Sequence, residues 1–144
     1  MKLTVKLDTE GIRCIGIFES LTGAGVKDCV VDNEANKVIM VVKKGDMGLA
    51  IGKGGSNINK AKKIIRKEIE LVEHSTDIKE FIQNLLRPAS VKSIELQTKD
   101  NKSYAYVEVS SKDKGIAIGK NGEKIKRVKL LMKRNKNIDN VVIK

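Results

Sequence analysis

Aromatic side chains are nearly missing from this 144-residue chain, which has two Phe, two Tyr and no Trp. A ligand surface made of many rings laid in a row is therefore excluded. Histidine occurs once, at His74, and the acidic residues are scattered, with no pair set for acid–base work and no metal cage. Enzymatic chemistry is not expected. The two cysteines, Cys14 and Cys29, lack C-x-x-C spacing and sit among apolar residues. Buried free thiols in a reducing cytoplasm are expected, with no metal and no cofactor. No run of 18 apolar residues offers a membrane span. The opening MKLTVKLDTE alternates, so no secretory signal is expected either.

Positive charge is what the chain has in excess, and it is concentrated. The net charge is +11, yet residues 1–47 and 71–111 are each close to neutral. Residues 48–70 carry +4 and residues 112–144 carry +8. A solubility device would spread its lysines, so this map points to a polyanionic partner.

Both basic segments are built round one motif. GLAIGKGG at 48–55 returns as GIAIGKNG at 115–122, with six of eight residues identical and an offset of 67. The similarity extends upstream, where VKDCVV matches VKSIEL. Polar turn-like stretches follow, DNEANK in one copy and TKDNKS in the other. Alternating strands come next, over Val38–Val42 and Ala105–Val109.

Helical patterns frame these strands. After Thr9, residues Ile12, Ile15, Phe18 and Leu21 predict an apolar stripe that ends at Gly23-Ala24-Gly25. Asp77 is a predicted N-cap ahead of Ile78, Phe81, Ile82 and Leu85, and Pro88, the chain's one proline, stops that helix. Behind the glycines run basic helices with inner faces at Ile58, Ala61, Ile65 and at Ile125, Val128, Met132. Short apolar stretches, 69–72 and 141–143, close the units. The fold class is α+β. Each unit runs helix–strand–strand–helix–glycine turn–helix–strand, with the helices on one face of a three-stranded sheet. The expected domains are 1–74, with an extra strand from the alternating Leu3, Val5 and Leu7, and 75–144. Because only Ser75 and Thr76 separate them, a fixed mutual orientation is expected.

The glycine turn admits two accounts. Gly52 and Gly119 could simply cap short helices, with Gly55 and Gly122 opening the next ones. That leaves unexplained a lysine at both tips, Lys53 and Lys120, and the basic helix behind each. A loop without bulky side chains lets a phosphate approach the main chain, where helix N–H groups and dipole meet it. Nucleotide cofactor motifs do not fit. Position 47 is Met and position 114 is Lys where a Walker-type loop begins with glycine, and no Gly-x-Gly-x-x-Gly opens from a strand.

I-G-K-x-G within this order of elements resembles the KH domain in its type II arrangement. The pair, joined by IKEFIQNLLRPASV, resembles the archaeal NusA-type transcription termination/antitermination factors over nearly the whole chain. Bacterial members carry a polymerase-binding domain and an OB-fold domain ahead of the KH pair, and this sequence matches the archaeal form without them. The resemblance implies single-stranded RNA as ligand, a nascent transcript or a ribosomal RNA leader. RNA polymerase is implied as a partner, and a monomer without membrane contact is expected. A KH domain clamps about four nucleotides, so two span roughly eight. Site residues implied by the resemblance are Gly52, Lys53, Gly54, Gly55, Ser56, Asn57 and Lys60 in one copy. In the other they are Gly119, Lys120, Asn121, Gly122, Lys124 and Arg127. Ile51 and Ile118 are candidates for the apolar groove, or for the core. Scarce rings agree with a KH domain over an RNA-recognition motif or OB-fold. Phe18 and Phe81 are expected in the core, and Tyr104 and Tyr106 in sheet packing or a domain interface rather than base stacking. Glu123, where the first copy has Ser56, is expected to repel a phosphate. Ribosome assembly or RNA processing is the alternative role, and a polymerase adaptor a third.

Overall fold

The computed structural model describes residues 8–144; the strand expected around Leu3, Val5 and Leu7 lies outside them. The chain divides between Ser75 and Thr76 into two compact units.

Unit one opens with α1 (Thr9–Thr22). Asp8 starts it, its Oδ1 accepting from the Gly11 amide at 2.8 Å. Gly23 ends it at φ 76°, its amide donating to the Glu19 carbonyl at 2.9 Å. A side-chain cap and a left-handed glycine are the usual way to satisfy orphaned end groups. Of the expected stripe Phe18 is fully buried and Ile15 and Leu21 pack partly buried against the core, but Ile12 stays 58% exposed; the fully buried face is Gly11, Cys14, Phe18 and Thr22. The reason is angular. Three successive steps of three residues wind about 180° round a helix, so Ile12 and Leu21 cannot share one face. Steps of three, four and four hold a face, and bring the small Gly11 and Cys14 inward. Thr22 is satisfied there, donating to the Phe18 carbonyl (2.8 Å) and accepting from the Ala24 amide (3.1 Å).

Strands β1 (Val26–Asp32) and β2 (Lys37–Val42) pair antiparallel, and β3 (Glu68–Glu73) joins β2 in parallel, in the order β1-β2-β3. Between β2 and β3 lie α2 (Met47–Ile51), a 3₁₀ turn (Lys53–Gly55) and α3 (Ser56–Ile65). Phe18, Val38, Met40, Val42, Ala50 and Ala61 form the fully buried centre. Removing a ring the size of Phe18 from water contributes about 1.5–3 kcal/mol. Cys14 and Cys29 are free thiols in this core. Burial pushes the Cys14 thiol up from its ordinary value.

Unit two repeats the plan. Its elements are α4 (Ile78–Leu86), β4 (Val91–Lys99), β5 (Lys102–Val109), α5 (Lys114–Ile118), a 3₁₀ turn (Lys120–Gly122), α6 (Glu123–Lys136) and β6 (Asn140–Ile143). Asp77 caps α4, accepting from the Lys79 amide at 3.2 Å. Strand pairing is again antiparallel, then parallel, in the order β4-β5-β6. Even the irregularity recurs, between Val26 and Asp28 and between Val91 and Ser93. The polar turn TKDNKS contracts to two residues, Asp100 and Asn101, at φ 52° and 63°. These are residue types that accept the left-handed region, and a two-residue turn there matches the strand twist. Phe81, Ile82, Leu86, Val107, Leu131 and Met132 fill the core.

Candidate nucleic-acid interface

The two glycine loops have the same backbone. Gly52 and Gly119 have φ/ψ of 75°/169° and 78°/168°, Gly54 and Asn121 61°/22° and 57°/25°, and Gly55 and Gly122 79°/14° and 71°/14°. The outer glycines have structural duties. The Gly52 amide donates to the Gly48 carbonyl and the Gly119 amide to the Gly115 carbonyl, each at 2.9 Å, closing α2 and α5. A Cβ on Gly52 would stand 2.7 Å from the Asn57 nitrogen, and one on Gly119 2.6 Å from Lys124 Cβ. Bare backbone is what allows one helix to turn so abruptly into the next.

At the tips only the backbone has such a duty, the Lys53 and Lys120 carbonyls accepting from the Ser56 and Glu123 amides. Lys53, Gly54, Lys120 and Asn121 are exposed, and a Cβ on Gly54 meets nothing within 4 Å. The amides of residues 53–54 and 120–121 open the 3₁₀ turns and have no acceptor within them. The following helices, 10 and 14 residues long, aim their N-terminal dipoles at the same spot. The glycine-cap account thus covers the outer glycines and leaves the basic tips unexplained.

Other expected site residues divide likewise. Ser56 and Lys60 are exposed. Asn57 Nδ2 donates to the Leu49 carbonyl at 2.7 Å, bracing α3 against α2. The equivalent Lys124 donates to the Arg87 carbonyl at the end of α4. Arg127 is 8% exposed, so it lies inside unit two while its counterpart Lys60 lies outside. Glu123 is half-buried as the first residue of α6.

Ile51 and Ile118 stand on the surface, joined by two residues absent from the expected set, Leu49 and Ile116. All four are 40–51% exposed, while Ala50 and Ala117 between them are fully buried. A five-residue helix seats only one residue, and here it is the small alanine. The signal was in the motif: alanine is identical in both copies and flanked each time by large aliphatics. Each loop thus pairs a bare phosphate-sized tip with two exposed apolar side chains on the preceding helix.

Matching carboxylates hold these helices in place. Asp46 Oδ2 accepts from the Gly25 amide and Asp113 Oδ2 from the Ser90 amide, both at 2.9 Å, just ahead of α2 and α5. The Ser90 hydrogen bond holds the Asp113 carboxyl below its ordinary value. Asp139 is lowered too, first by the Lys133 ammonium at 2.6 Å, then by the Ser103 amide at 2.8 Å. A depressed folded pKa stabilises above the unfolded value, about 4, and that contribution is lost as pH falls through the folded value. Thermal unfolding between pH 5 and pH 2 should show the melting temperature falling less steeply in Asp113→Asn/Asp139→Asn than in wild type. Equal slopes would detach these carboxylates from acid stability.

Comparison with known proteins gives the arrangement its family. A model described as KH domain matches residues 13–76, and one described as NusA-like second KH domain matches 78–141. The "Probable transcription termination protein NusA" of Methanococcus vannielii is 37% identical, over 98% of this chain and 80% of that protein. The chain belongs to the NusA family. Its namesake in Halobacterium salinarum is 36% identical over 96% of this chain and 98% of the relative. The solved crystal structure of APE1850 superposes with a TM-score of 0.82 at 36% identity, over 95% of this chain and 99% of that one. Both copies of the GxxG loop in this NusA-family chain fall within the matched KH regions. Among the described residues, no helix is long and apolar enough to cross a membrane.

Proposed function

We propose that this chain is an RNA-binding transcription termination factor that holds single-stranded RNA with both GxxG loops and works by binding, without catalysis. The observation that carries this is the pair of near-identical loops with exposed basic tips at Lys53-Gly54 and Lys120-Asn121. The name shared by its archaeal relatives supports the same reading. The sugar–phosphate backbone lies over the tip amides and lysines, and bases lie on the aliphatic pairs Leu49/Ile51 and Ile116/Ile118. Such a groove discriminates little by hydrogen bonding, so sequence preference is modest. Only four residues, 74–77, connect β3 to α4, which supports close coupling of the two clamps. RNA polymerase is the proposed protein partner, and the protein acts as a monomer in the cytoplasm.

Fluorescence anisotropy at physiological salt, with a 12-nucleotide RNA, the matched DNA and duplex RNA, tests this. Preference for single-stranded RNA, lost on charge reversal of the loops, is expected. Equal affinity for all three would leave only nonspecific attraction to phosphate. Co-purification of polymerase after nuclease treatment tests the protein partner.

The two clamps are unequal. Glu123 presents a carboxylate where Ser56 presents a hydroxyl. Glu123→Ser should tighten RNA binding about two- to fivefold, the equivalent of the 0.3–1 kcal/mol of a charge at a helix end. The melting temperature should drop slightly, because the carboxylate favours the free helix. Unchanged affinity would mean that phosphate does not sit over this N-terminus.

A further inference from the structure

The outer face of the second sheet, away from α4, α5 and α6, is where the duplicated units differ. In unit one the corresponding face presents Val30, Ile39, Val41 and Val72, all buried. In unit two it presents Tyr104 and Tyr106 on the central strand, both half-exposed and alternating with the buried Ala105 and Val107. Their rings stack on one another, centroids 6.1 Å apart and planes at 24°. The Lys144 ammonium stands 5.8 Å from the centre of the Tyr106 ring. Lys99 and Lys102 face each other across the hairpin end beside Tyr104, and Asn140 pairs in register with Tyr104. The acids on this face are engaged locally: Glu95 accepts from Gln97 at 2.8 Å and Glu108 from Ser93 at 3.3 Å.

We propose that this face is a second contact for single-stranded RNA, on which one or two bases stack against the Tyr104–Tyr106 pair. Sheet packing does not account for the rings, because they stand half-exposed, whereas the aliphatic residues of the corresponding face in unit one are all buried. Rings on an open sheet flanked by lysines match unpaired nucleotides in both components, a π-face for the base and cations for the phosphates. An acidic partner would use the lysines and leave the rings idle. An apolar partner would have to desolvate three lysines. The asymmetry gives the protein a role for length: a short RNA fills the loops, and a longer one has nucleotides to spare for the sheet of unit two. This inference rests on the RNA-binding reading above.

The sequence supplies its own reporter. With no Trp and two Tyr, the intrinsic fluorescence comes from Tyr104 and Tyr106 alone. Titration with an eight-nucleotide and a 24-nucleotide RNA, with N-acetyl-tyrosinamide correcting for absorbance, should give saturable quenching with the longer RNA. Tyr104→Ala/Tyr106→Ala should weaken binding of the 24-mer on the order of tenfold, about one stacked base, and leave the eight-mer unchanged. Tyr104→Phe/Tyr106→Phe should bind both as wild type does, since the ring is what stacks. Absence of quenching while both RNAs bind the wild type would overturn the second contact and leave the loop clamps standing. Failure of wild type to bind either RNA would overturn both. Should the alanine variant not fold, quenching in the wild type decides.

Discussion

Charge reversal at both tips, Lys53→Asp/Gly54→Asp with Lys120→Asp/Asn121→Asp, is expected to reduce binding of a 12-nucleotide RNA to background. Either pair alone is expected to weaken it on the order of 10²-fold. The inequality follows from tethering. Once one loop holds the strand, the other meets it at a high effective concentration, so losing either forfeits the avidity and losing both leaves nothing to amplify. Two controls separate this from unfolding. Gly54 and Asn121 sit at φ near +60°, where Asp is tolerated, and Lys53 and Lys120 are exposed, so circular dichroism and melting temperature should stay near wild type. Electrostatics give the second control. Each lost phosphate contact lowers the slope of log affinity against log salt by about 0.7 on a single strand. Variants that bind the 12-mer as tightly as wild type would leave Lys53 and Lys120 as ordinary surface lysines.

How far the sequence foretells all this depends on what each residue's environment is made of. The order of elements was readable because it rests on local signals: Asp77 at a helix start, Gly23 and Pro88 at helix ends, and period-two strands. The loop was readable because its chemistry is backbone chemistry, and glycine advertises it. What was not readable depends on rotation and reach. In α1, Ile15, Phe18 and Leu21 reach the core as their spacing predicts, but Ile12 does not, because spacing alone does not weigh a small Gly11 against a large Ile12. Arg127 looked like an external cation from its place in a basic helix, but its burial is a tertiary fact. Asn57 and Lys124 share the motif's neighbourhood, yet each is committed to a backbone carbonyl that the sequence does not point to. Leu49 and Ile116 carry no sequence mark of their exposure, because an aliphatic residue on a short helix fits a core as well as a surface. Tyr104 and Tyr106 are expected in sheet packing or a domain interface, and their half-exposure depends on the assembled sheet, which spacing does not reveal.

The loop's outer glycine and its tip glycine should respond oppositely to substitution. Gly119→Ala is expected to destabilise unit two by about 3 kcal/mol or more. Gly119 sits at φ 78° and ψ 168°, a region held almost solely by glycine, where another residue costs about 1–3 kcal/mol. The new methyl group would also meet Lys124 Cβ at 2.6 Å and the Lys124 backbone nitrogen at 2.9 Å, so the start of α6 must move. For a domain of this size, 3 kcal/mol lowers the melting temperature by roughly 12 °C or more. Gly52→Ala should do the same to unit one, against the Asn57 backbone. Gly54→Asn, by contrast, should stay within about 1 kcal/mol of wild type: its space is open, and Asn121 already holds that conformation in the other copy. It should also keep RNA affinity, because the tip amides and Lys53 are untouched. Melting curves by circular dichroism for the three variants decide the matter. If Gly119→Ala melts with wild type, the loop does not make this sharp turn, and its tip amides do not stand where the proposed phosphate contact needs them.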